Sequence, residues 1–395
     1  MDKNNGAIYD ARKLGKPKMI ILGVQHMFAM FGATILVPIL TGLDISTTLL
    51  MAGLGTLLFH CITKFKVPAF LGSSFAFLGG YAAIKAFSPN DPNSMLPYAC
   101  LGVACAGLIY FILAAVIKAV GIEKVMRFFP PVVTGPIIIA IGLGLAPSAV
   151  SNCTTNWFLA VVDLAVIVVF NIWGKGMAKI IPIILGLLIS YGTGLVLYFI
   201  SQANPDLIQN VPWLFSGGAD ANGVYQPIFD FTSLNTICDN ISKGHIFGSE
   251  GLIGIPIHWD KTVFGGIDYS NGALIASSII AIVPIAFATM MEHIGDICAI
   301  SSTTGNNYIK DPGLHRTLVG DGLATTLASL FGGPANTTYG ENTGVLALTR
   351  VYDPRVIRIA AYFAVAVSFF PIVSVIIGSI PSCIIGGISF VLYGM

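Results

Sequence analysis

Long runs of apolar residues, separated by short polar stretches, dominate the chain. A membrane-spanning helix needs about 20 mostly apolar residues, and most of the runs reach that length. Segments 67–86, 316–332 and 333–350 are shorter or more polar than the others. The pattern predicts an all-α polytopic membrane protein with spans at 19–40, 45–63, 67–86, 96–118, 129–149, 156–174, 180–200, 274–299, 316–332, 333–350, 356–378 and 382–395.

The distribution of lysine and arginine predicts the orientation of these spans in the membrane. Short loops rich in these residues stay on the cytoplasmic side of a membrane. With the N-terminus inside, all 20 Lys and Arg fall in cytoplasmic segments except Lys85, Lys243 and Lys261. We therefore predict a multi-pass protein of the cytoplasmic membrane, with a cytoplasmic tail over 1–18 and an extracytoplasmic loop over 201–273.

Composition narrows the class of function. Charged residues make up 10% of the chain and the net charge is +1, so nothing favours a nucleic-acid partner. The seven cysteines include no CxxC pair, which argues against a disulfide framework or a zinc site. His26 and His293 are expected to be helix contacts, not metal ligands. Without a metal-spaced His cluster or a nucleophile beside a base, we expect no cofactor and no enzymatic activity.

Matching residues in consistent order indicate that the chain contains two related halves. Seven spans separate corresponding helices, and an odd number gives the halves opposite orientations. Inverted repeats of this kind are typical of secondary transporters. We therefore expect a 7+7 inverted-repeat transporter fold with about 12 of its 14 segments present, the chain stopping inside span 12. The matches pair Gln25-His26 with Glu292-His293, Gly55 with Gly322, Pro68-Ala69 with Pro334-Ala335, and Pro130 with Pro381.

Two glutamates, Glu292 and Glu341, lie inside strongly apolar segments. A carboxylate at the centre of a membrane helix costs about 2.5–3.5 kcal/mol on insertion scales, so its presence indicates a use. Asp296 follows Glu292 by four residues and shares its helix face. Because two acids there repel, at least one is expected to be protonated, paired or hydrated. We predict a polar cavity near mid-membrane for a small polar solute and a proton.

Small and polar residues interrupt the helical pattern of segments 67–86 and 333–350, at Ser74-Phe75 and at Tyr339. Half-helices starting there would direct free N–H groups and positive dipole ends into a cavity. Non-helical backbone is tolerated at membrane depth where it lines such a cavity. Free N–H groups suit carbonyl oxygens, a carboxylate suits N–H donors, and an aromatic ring offers a stacking face. The combination predicts a flat heterocycle, such as a pyrimidine or purine base, as the substrate.

A structural interpretation stands beside each functional one. Glu341 also fits a helix-capping acid, and Phe75 and Tyr339 also fit core packing. Asp321 fits a helix contact as well as a proton path. Asp163 is expected near the outer end of its span, in contact with water.

Longer motifs in the chain resemble the nucleobase–cation symporter-2 family. They lie at 25–34, 68–77, 292–295, 311–316 and 334–350, and include QHMFAMFGAT, EHIG and DPGLHR. The resemblance implies a core domain built from spans 1–4 and 8–11 and a gate domain built from spans 5–7 and 12–14. In this numbering the core would cover 19–120 and 274–380, and the gate would cover 121–200 and 381–395.

The resemblance also implies roles for individual residues. Glu292 and Glu341 would hold the base through their side chains, Phe75 and Gly340 would contribute backbone N–H groups, and Ala33, Tyr339 and Tyr393 would line the pocket. His26 would steady Glu341. From the residues themselves, we also assign Ser74 to the pocket, and Gln25, Asp296 and Asp321 to proton coupling and its support. Asp296 departs from the pattern, because a uracil permease of the family carries histidine there and the purine branch commonly carries aspartate.

The prediction is a proton-coupled importer of uracil. Relatives that take xanthine or urate usually carry Gln-Asn where this chain has Glu341-Asn342, which favours uracil. A xanthine or other purine permease is the first alternative. An anion transporter of the sulfate-permease type is the second, and the acid at Glu341 argues against it. Sodium remains an alternative to the proton as the coupling ion. A further alternative is that the chain is a non-functional fragment. The family resemblance implies a homodimer through the gate domains.

Overall fold

The protein is built almost entirely from helices. The computed structural model describes residues 7–121, 123–124, 131–179, 181–220 and 222–394, without the side chains of 131–135, 137–138, 141, 341, 392 and 394. The helices are α1 (Lys16–Thr41), α2 (Ile45–Ile62), α3 (Leu78–Lys85), α4 (Leu96–Val120), α5 (Pro131–Cys153), α6 (Trp157–Trp173), α7 (Pro182–Ala203), α8 (Asp206–Asn210), α9 (Pro212–Phe215), α10 (Thr232–Ser242), α11 (Val263–Gly266), α12 (Gly272–Ile282), α13 (Ala286–Thr304), α14 (Leu314–Leu330), α15 (Gly340–Thr349), α16 (Pro354–Ser368), α17 (Pro371–Gly378) and α18 (Ser382–Gly394). The strands are β1 (Leu71–Ser73), β2 (Ser216–Ala219), β3 (Tyr225–Pro227) and β4 (Asn336–Thr338).

Several of these helices have the length and composition of membrane spans. Among the described residues, five helical stretches are long and apolar enough to cross a bilayer: Lys16–Thr41, Ile45–Ile62, Pro92–Val120, Pro182–Ala203 and Gly272–Thr304. Helix α6 is shorter, with 17 residues. It begins at Trp157 and ends at Trp173, whose side chains are 48% and 69% exposed. Tryptophan is enriched at both membrane–water interfaces, so this spacing is typical of a span.

The chain divides into two compact units. The first holds the described residues up to Ile138 together with Ile255–Phe370. The second holds Ile139–Gly254 and the described residues from Pro371 onward. The first unit contains both interrupted segments and the strongest candidate acids.

The two interrupted segments cross each other in the first unit. Strands β1 and β4 pair antiparallel, with Leu71 opposite Thr338 and Ser73 opposite Asn336. Helix α3 follows β1 after a short turn, and α15 follows β4 directly. The predicted interruptions are therefore confirmed, because only the second part of each segment is helical. Pairing between the strands satisfies backbone groups that a broken helix would leave unbonded inside the membrane.

Glycines let α14 approach α4 closely behind this crossing. A Cβ atom at Gly107 would lie 2.7 Å from the carbonyl oxygen of Gly322, and one at Gly322 would lie 2.6 Å from that of Gly107. Small residues at such contacts allow membrane helices to pack backbone against backbone. Asp321, which precedes Gly322, is consequently 0% exposed.

The second unit places a buried acid at the contact of three helices. Asp163 on α6 is 0% exposed, and the hydroxyl of Ser190 on α7 donates to its Oδ1 over 3.4 Å. A Cβ atom at Gly387 of α18 would lie 2.8 Å from its Oδ2. The expectation that Asp163 meets water near the end of its span is therefore wrong. Residues of two other helices, Ser190 and Gly387, bury Asp163, and the sequence around Asp163 does not predict these contacts.

Two further segments differ from the simple span map. The predicted span at 356–378 is two helices, α16 and α17, because Pro371 starts a new helix and disfavours a helical conformation at Phe370. The long loop at 201–273 is partly structured, and its β2–β3 hairpin pairs Ser216 with Pro227.

Candidate functional site

Helix α13 carries the predicted acids on one face. Glu292 is exposed, Asp296 is half-buried, and His293 is fully buried. The spacing of four residues places both carboxyl groups along one stripe of the helix. A carboxyl group within a spanning segment normally faces water, a partner or a cavity rather than lipid.

A chain of polar side chains leads from Asp296 into the interior. The hydroxyl of Thr338 donates to Asp296 Oδ2 over 2.7 Å. The same hydroxyl lies 3.4 Å from His293 Nδ1. That nitrogen is 3.0 Å from Asp321 Oδ2, and His293 and Asp321 are both 0% exposed. Carboxyl, hydroxyl, imidazole and carboxyl groups thus follow one another within contact distance.

Helix α15 starts beside Asp296. A Cβ atom at Gly340 would lie 3.9 Å from Asp296 Oδ1, so this glycine adjoins the acid face of α13. The first N–H groups of a helix have no partner within it and carry the positive end of its dipole. The predicted backbone donor at Gly340 therefore lies next to a predicted acid. The side chain of Glu341, in the same turn, lies outside the described residues, as does Pro130 of the repeat.

His26 contacts α15 through Asn342. The Asn342 side-chain nitrogen donates to the His26 carbonyl oxygen over 3.2 Å and lies 3.3 Å from His26 Nδ1. His26 is 0% exposed and Asn342 is 1% exposed. This contact fixes the first turn of α15 against the middle of α1. Asn342 was noted in the sequence only as a neighbour of Glu341.

Tyr339 belongs to the crossing itself. Its hydroxyl donates to the Ser73 carbonyl oxygen over 2.8 Å, and its side chain is 5% exposed. A Cβ atom at Gly72 would collide with the tyrosine ring. The ring therefore joins β4 to β1. Phe75, the other predicted aromatic residue, is half-buried.

Several buried polar atoms at this place make no hydrogen bond within the described part of the chain. Buried polar groups in proteins nearly always have a partner in protein, water or ligand. These atoms lie on α1, directly after β1 and in the first turn of α15, where Asn342 contacts His26, and they fit a place that receives a polar molecule. They are Gln25 Oε1, His26 Nε2, Ser74 Oγ, Asn342 Oδ1 and Thr343 Oγ1.

The remaining predicted residues lie at different depths or in the other unit. Ala33 is 2% exposed on α1, one turn after Met30. Tyr393 lies on α18 in the second unit and is half-buried. The sequence missed the contact of Thr338 with Asp296 and His293. The nearest signal was the repeat match of Pro68-Ala69 with Pro334-Ala335, just before the two crossing strands.

A separate cavity lies at the start of α2 and α4. It has a volume of about 390 Å³ and is lined by polar residues that include Asp44, Asp91, Asp260 and Lys261. None of the predicted site residues lines it. Among the described residues, no group of three or more His, Cys, Asp or Glu is placed to hold a metal ion.

Comparison with solved structures addresses the fold. The transmembrane domain of a cyanobacterium bicarbonate transporter, BicA, superposes with a TM-score of 0.65 at 13% sequence identity, covering 98% of this chain and 89% of that domain. At this identity the likeness concerns architecture alone. It confirms the predicted fold class, an all-α membrane protein with a 7+7 inverted-repeat transporter fold.

Comparison of sequences identifies the family. Residues 17–395 match the model of the Permease family for xanthine and uracil permeases. The uracil permease of Bacillus caldolyticus is 38% identical over 387 residues, covering 95% of this chain and 77% of that protein. The uracil permease of Bacillus subtilis (strain 168) is 37% identical over 389 residues, with the same shares covered. The chain is therefore a multi-pass membrane transporter and belongs to the Permease family, in agreement with the nucleobase–cation symporter-2 motifs in its sequence.

Proposed function

We propose that this permease imports uracil together with a proton. The observation that carries the proposal is the acid face of α13, which bears Glu292 and Asp296. Asp296 adjoins the first turn of α15 and connects through Thr338 and His293 to buried Asp321. The names of the two Bacillus relatives support uracil as the base.

The chemistry of the site suits uracil. A uracil ring presents N–H donors and C=O acceptors alternately along its edge. Carboxylate oxygens of Glu292 would accept from the N–H groups, and the free N–H groups at Gly340 and Phe75 would donate to the carbonyl oxygens. The Phe75 ring would stack on the flat face of the base. Glu341 is assigned to the same edge by family resemblance.

The polar chain behind the site supports coupling to a proton. Protonation converts a carboxylate from an acceptor into a donor and removes a buried negative charge. Asp296, Thr338, His293 and Asp321 would pass or store this proton, while Gln25 and His26 keep the neighbouring helices in place. If the proton strengthens uracil binding, uracil must strengthen proton binding by the same factor.

Transport would follow from movement of a gate domain against a core domain. We assign the first unit to the core and the second unit to the gate, close to the boundaries 19–120 with 274–380 and 121–200 with 381–395. In such transporters the site stays fixed while access alternates between the two sides. The N-terminus would lie in the cytoplasm, and the protein would reside in the cytoplasmic membrane. Tyr393 would line the substrate pocket from the gate domain, and the gate domains would form a homodimer interface.

One observation favours a second candidate, a purine permease. Asp296 stands where a uracil permease of the family carries histidine, and aspartate there is common in the purine branch. Xanthine is therefore the informative competitor in any uptake assay.

The test is uptake of radiolabelled uracil by the full-length protein in cells without their own permease. Uptake should be faster at mildly acidic than at mildly alkaline pH and should resist excess xanthine. Glu292→Gln should abolish uptake, whereas Glu250→Gln, in the exposed loop after α10, should leave it unchanged. Inhibition by xanthine would favour the purine candidate. Uracil uptake that survives Glu292→Gln would refute the site.

A further inference from the structure

The segment before α1, residues 8–14, is bonded to the connection between α15 and α16. We call this segment the N-terminal latch. The Ile8 N–H donates to the Arg350 carbonyl oxygen over 2.8 Å, and the Tyr352 N–H donates to the Ile8 carbonyl oxygen over 2.8 Å. Ile8 and Val351 therefore pair as in a parallel sheet. The latch follows a defined register on this connection.

The N-terminal latch also reaches the end of α13. The Tyr9 hydroxyl donates to the carbonyl oxygen of Thr304 over 2.7 Å, and Thr304 is the last residue of that helix. The Tyr9 ring meets the Tyr352 ring edge to face, with ring centres 5.5 Å apart. One side chain thus contacts both α13 and the α15–α16 connection.

Charged groups and a small core complete the attachment. Arg355 donates to Asp10 Oδ1 over 2.9 Å and to Asp353 Oδ2 over 3.1 Å. Asp353 Oδ2 also accepts from the Ala11 N–H over 2.7 Å. Ala11 is 0% exposed and packs with Val351.

The ion pairs of the latch stay charged at physiological pH. The hydrogen bond from the Arg12 side chain, with the nearby Arg355 guanidinium, holds the pKa of Asp10 well below its ordinary value. The Asp10 and Arg355 side chains are 33% and 38% exposed. Partly exposed ion pairs of this kind are weakened by salt.

The latch joins the cytoplasmic ends of three helices that carry the candidate site. It continues into α1, which bears His26, and it contacts the ends of α13 and α15. With a rise of about 1.5 Å per residue, these ends lie about 12–15 Å from Asp296, Asn342 and His26 along their helices. Two to three helical turns therefore separate the latch from each group.

We propose that the N-terminal latch is a positioning element that holds α1, α13 and α15 at the spacing required for substrate binding. This inference rests on the proposed function of the same site. The latch touches no substrate, and it acts by limiting the freedom of three helix ends before the substrate arrives. A preorganised site binds more tightly because less order remains to be imposed on binding.

The test compares two variants of the purified full-length protein by calorimetric titration with uracil. Tyr9→Phe combined with Asp10→Asn removes the bond to Thr304 and the pair with Arg355 but no apolar contact. Loss of preorganisation should raise the Kd about 5-fold. Lys13→Gln, an exposed neighbour, should leave the Kd unchanged. Added KCl should weaken binding by the wild type and should have little effect on the double variant.

Hydrogen exchange separates failure of this inference from failure of the proposed function. Peptides covering 288–298 and 340–346 should exchange faster in the double variant than in the wild type, with no ligand present. A wild type that binds no uracil would count against the proposed function, and exchange would still test the latch. The proposed role of the latch would be overturned if the double variant showed the same Kd, the same salt response and the same hydrogen exchange as the wild type.

Discussion

The segments β1–α3 and β4–α15 share a backbone arrangement and differ in chemistry. Each has a three-residue strand that precedes a half-helix, and a threonine on the preceding helix bonds each strand. Thr56 accepts from the Leu71 N–H over 2.9 Å, and Thr325 donates to the Asn336 carbonyl oxygen over 2.7 Å. The inverted repeat therefore preserves the main-chain geometry, including the threonine that completes its hydrogen bonding.

The side chains of the two segments do different work. Both strands are fully buried. In the first segment, the Ser73 hydroxyl donates to the Thr34 carbonyl oxygen over 3.1 Å. In the second, Thr338 bonds Asp296, and Asn342 bonds His26. The two halves of the repeat have therefore kept the same main-chain crossing, whereas most of the polar side-chain contacts lie in the second segment. Changes to the crossing should therefore affect stability, and changes to polar groups of the second segment should affect transport.

The largest effect is expected from Gly72→Ala, which would break the crossing in both segments at once. The added methyl group would collide with the Tyr339 ring and lie 2.7 Å from Thr34 Oγ1. Overpacking at this point should cost about 2–3 kcal/mol. Thermal melting in detergent measures the loss. Gly79→Ala is the control, because a Cβ atom there meets nothing within 4 Å and should not lower the melting temperature.

The next effect is expected from Asp321→Asn, which removes the inner end of the polar chain attached to the second segment. Loss of the carboxyl partner of His293 should cost about 2 kcal/mol, or about 30-fold in uptake. The dependence of uptake on pH should also flatten. Asp163→Asn alters an equally buried acid of the second unit and should preserve that dependence. An identical response of both variants would show that burial alone matters.

The third prediction compares uptake by two variants at adjacent positions of β4, Thr338→Val and Thr337→Val. Both side chains are 1–2% exposed, but Thr338 bonds Asp296, whereas the Thr337 hydroxyl makes no hydrogen bond within the described residues. Losing one bond to a carboxyl group should lower uptake about tenfold, equivalent to about 1.4 kcal/mol. Thr337→Val should retain wild-type uptake. Equal losses would contradict the polar chain.

The smallest effect is expected from Ser74→Ala in the first segment. Its buried hydroxyl should contribute a single contact to the base, so uracil binding should weaken about threefold with no change in melting temperature. Ser329→Ala is a matched control on α14, since its hydroxyl is likewise buried without a bond in the described structure. A loss of tenfold or more for Ser74→Ala would mean that the first segment carries more of the chemistry than the comparison assigns to it.

Local sequence patterns predicted much of the fold and part of the candidate site. Apolar runs predicted the spans, the small residues near Ser74 and Tyr339 predicted the interruptions, and isolated acids marked α13. The pairing of β1 with β4 could not be predicted, since three-residue strands carry almost no register signal and depend on distant helices. For the same reason the sequence left open whether the ring of Tyr339 packs in the core or faces the substrate.

The acids illustrate where sequence reasoning stops. Glu292 was recognisable because its apolar surroundings make a charge costly at that point. Asp163 looked solvated because its neighbours in sequence lie near a span end, yet Ser190 and Gly387 cover it from α7 and α18. His293 gained its partner, Asp321, from another helix. Burial and pairing of this kind arise from tertiary packing, which no local pattern records.

The spacing of the tryptophans at the ends of α6 also indicates the bilayer thickness that suits this helix. From Trp157 to Trp173 the helix rises about 24 Å, less than the hydrocarbon thickness of about 30 Å in a typical bilayer. Mismatch of this size is relieved by local thinning of the lipid or by tilting of neighbouring helices. Acyl-chain length should therefore act as a control on this permease, with the fastest turnover in vesicles made of short-chain lipids.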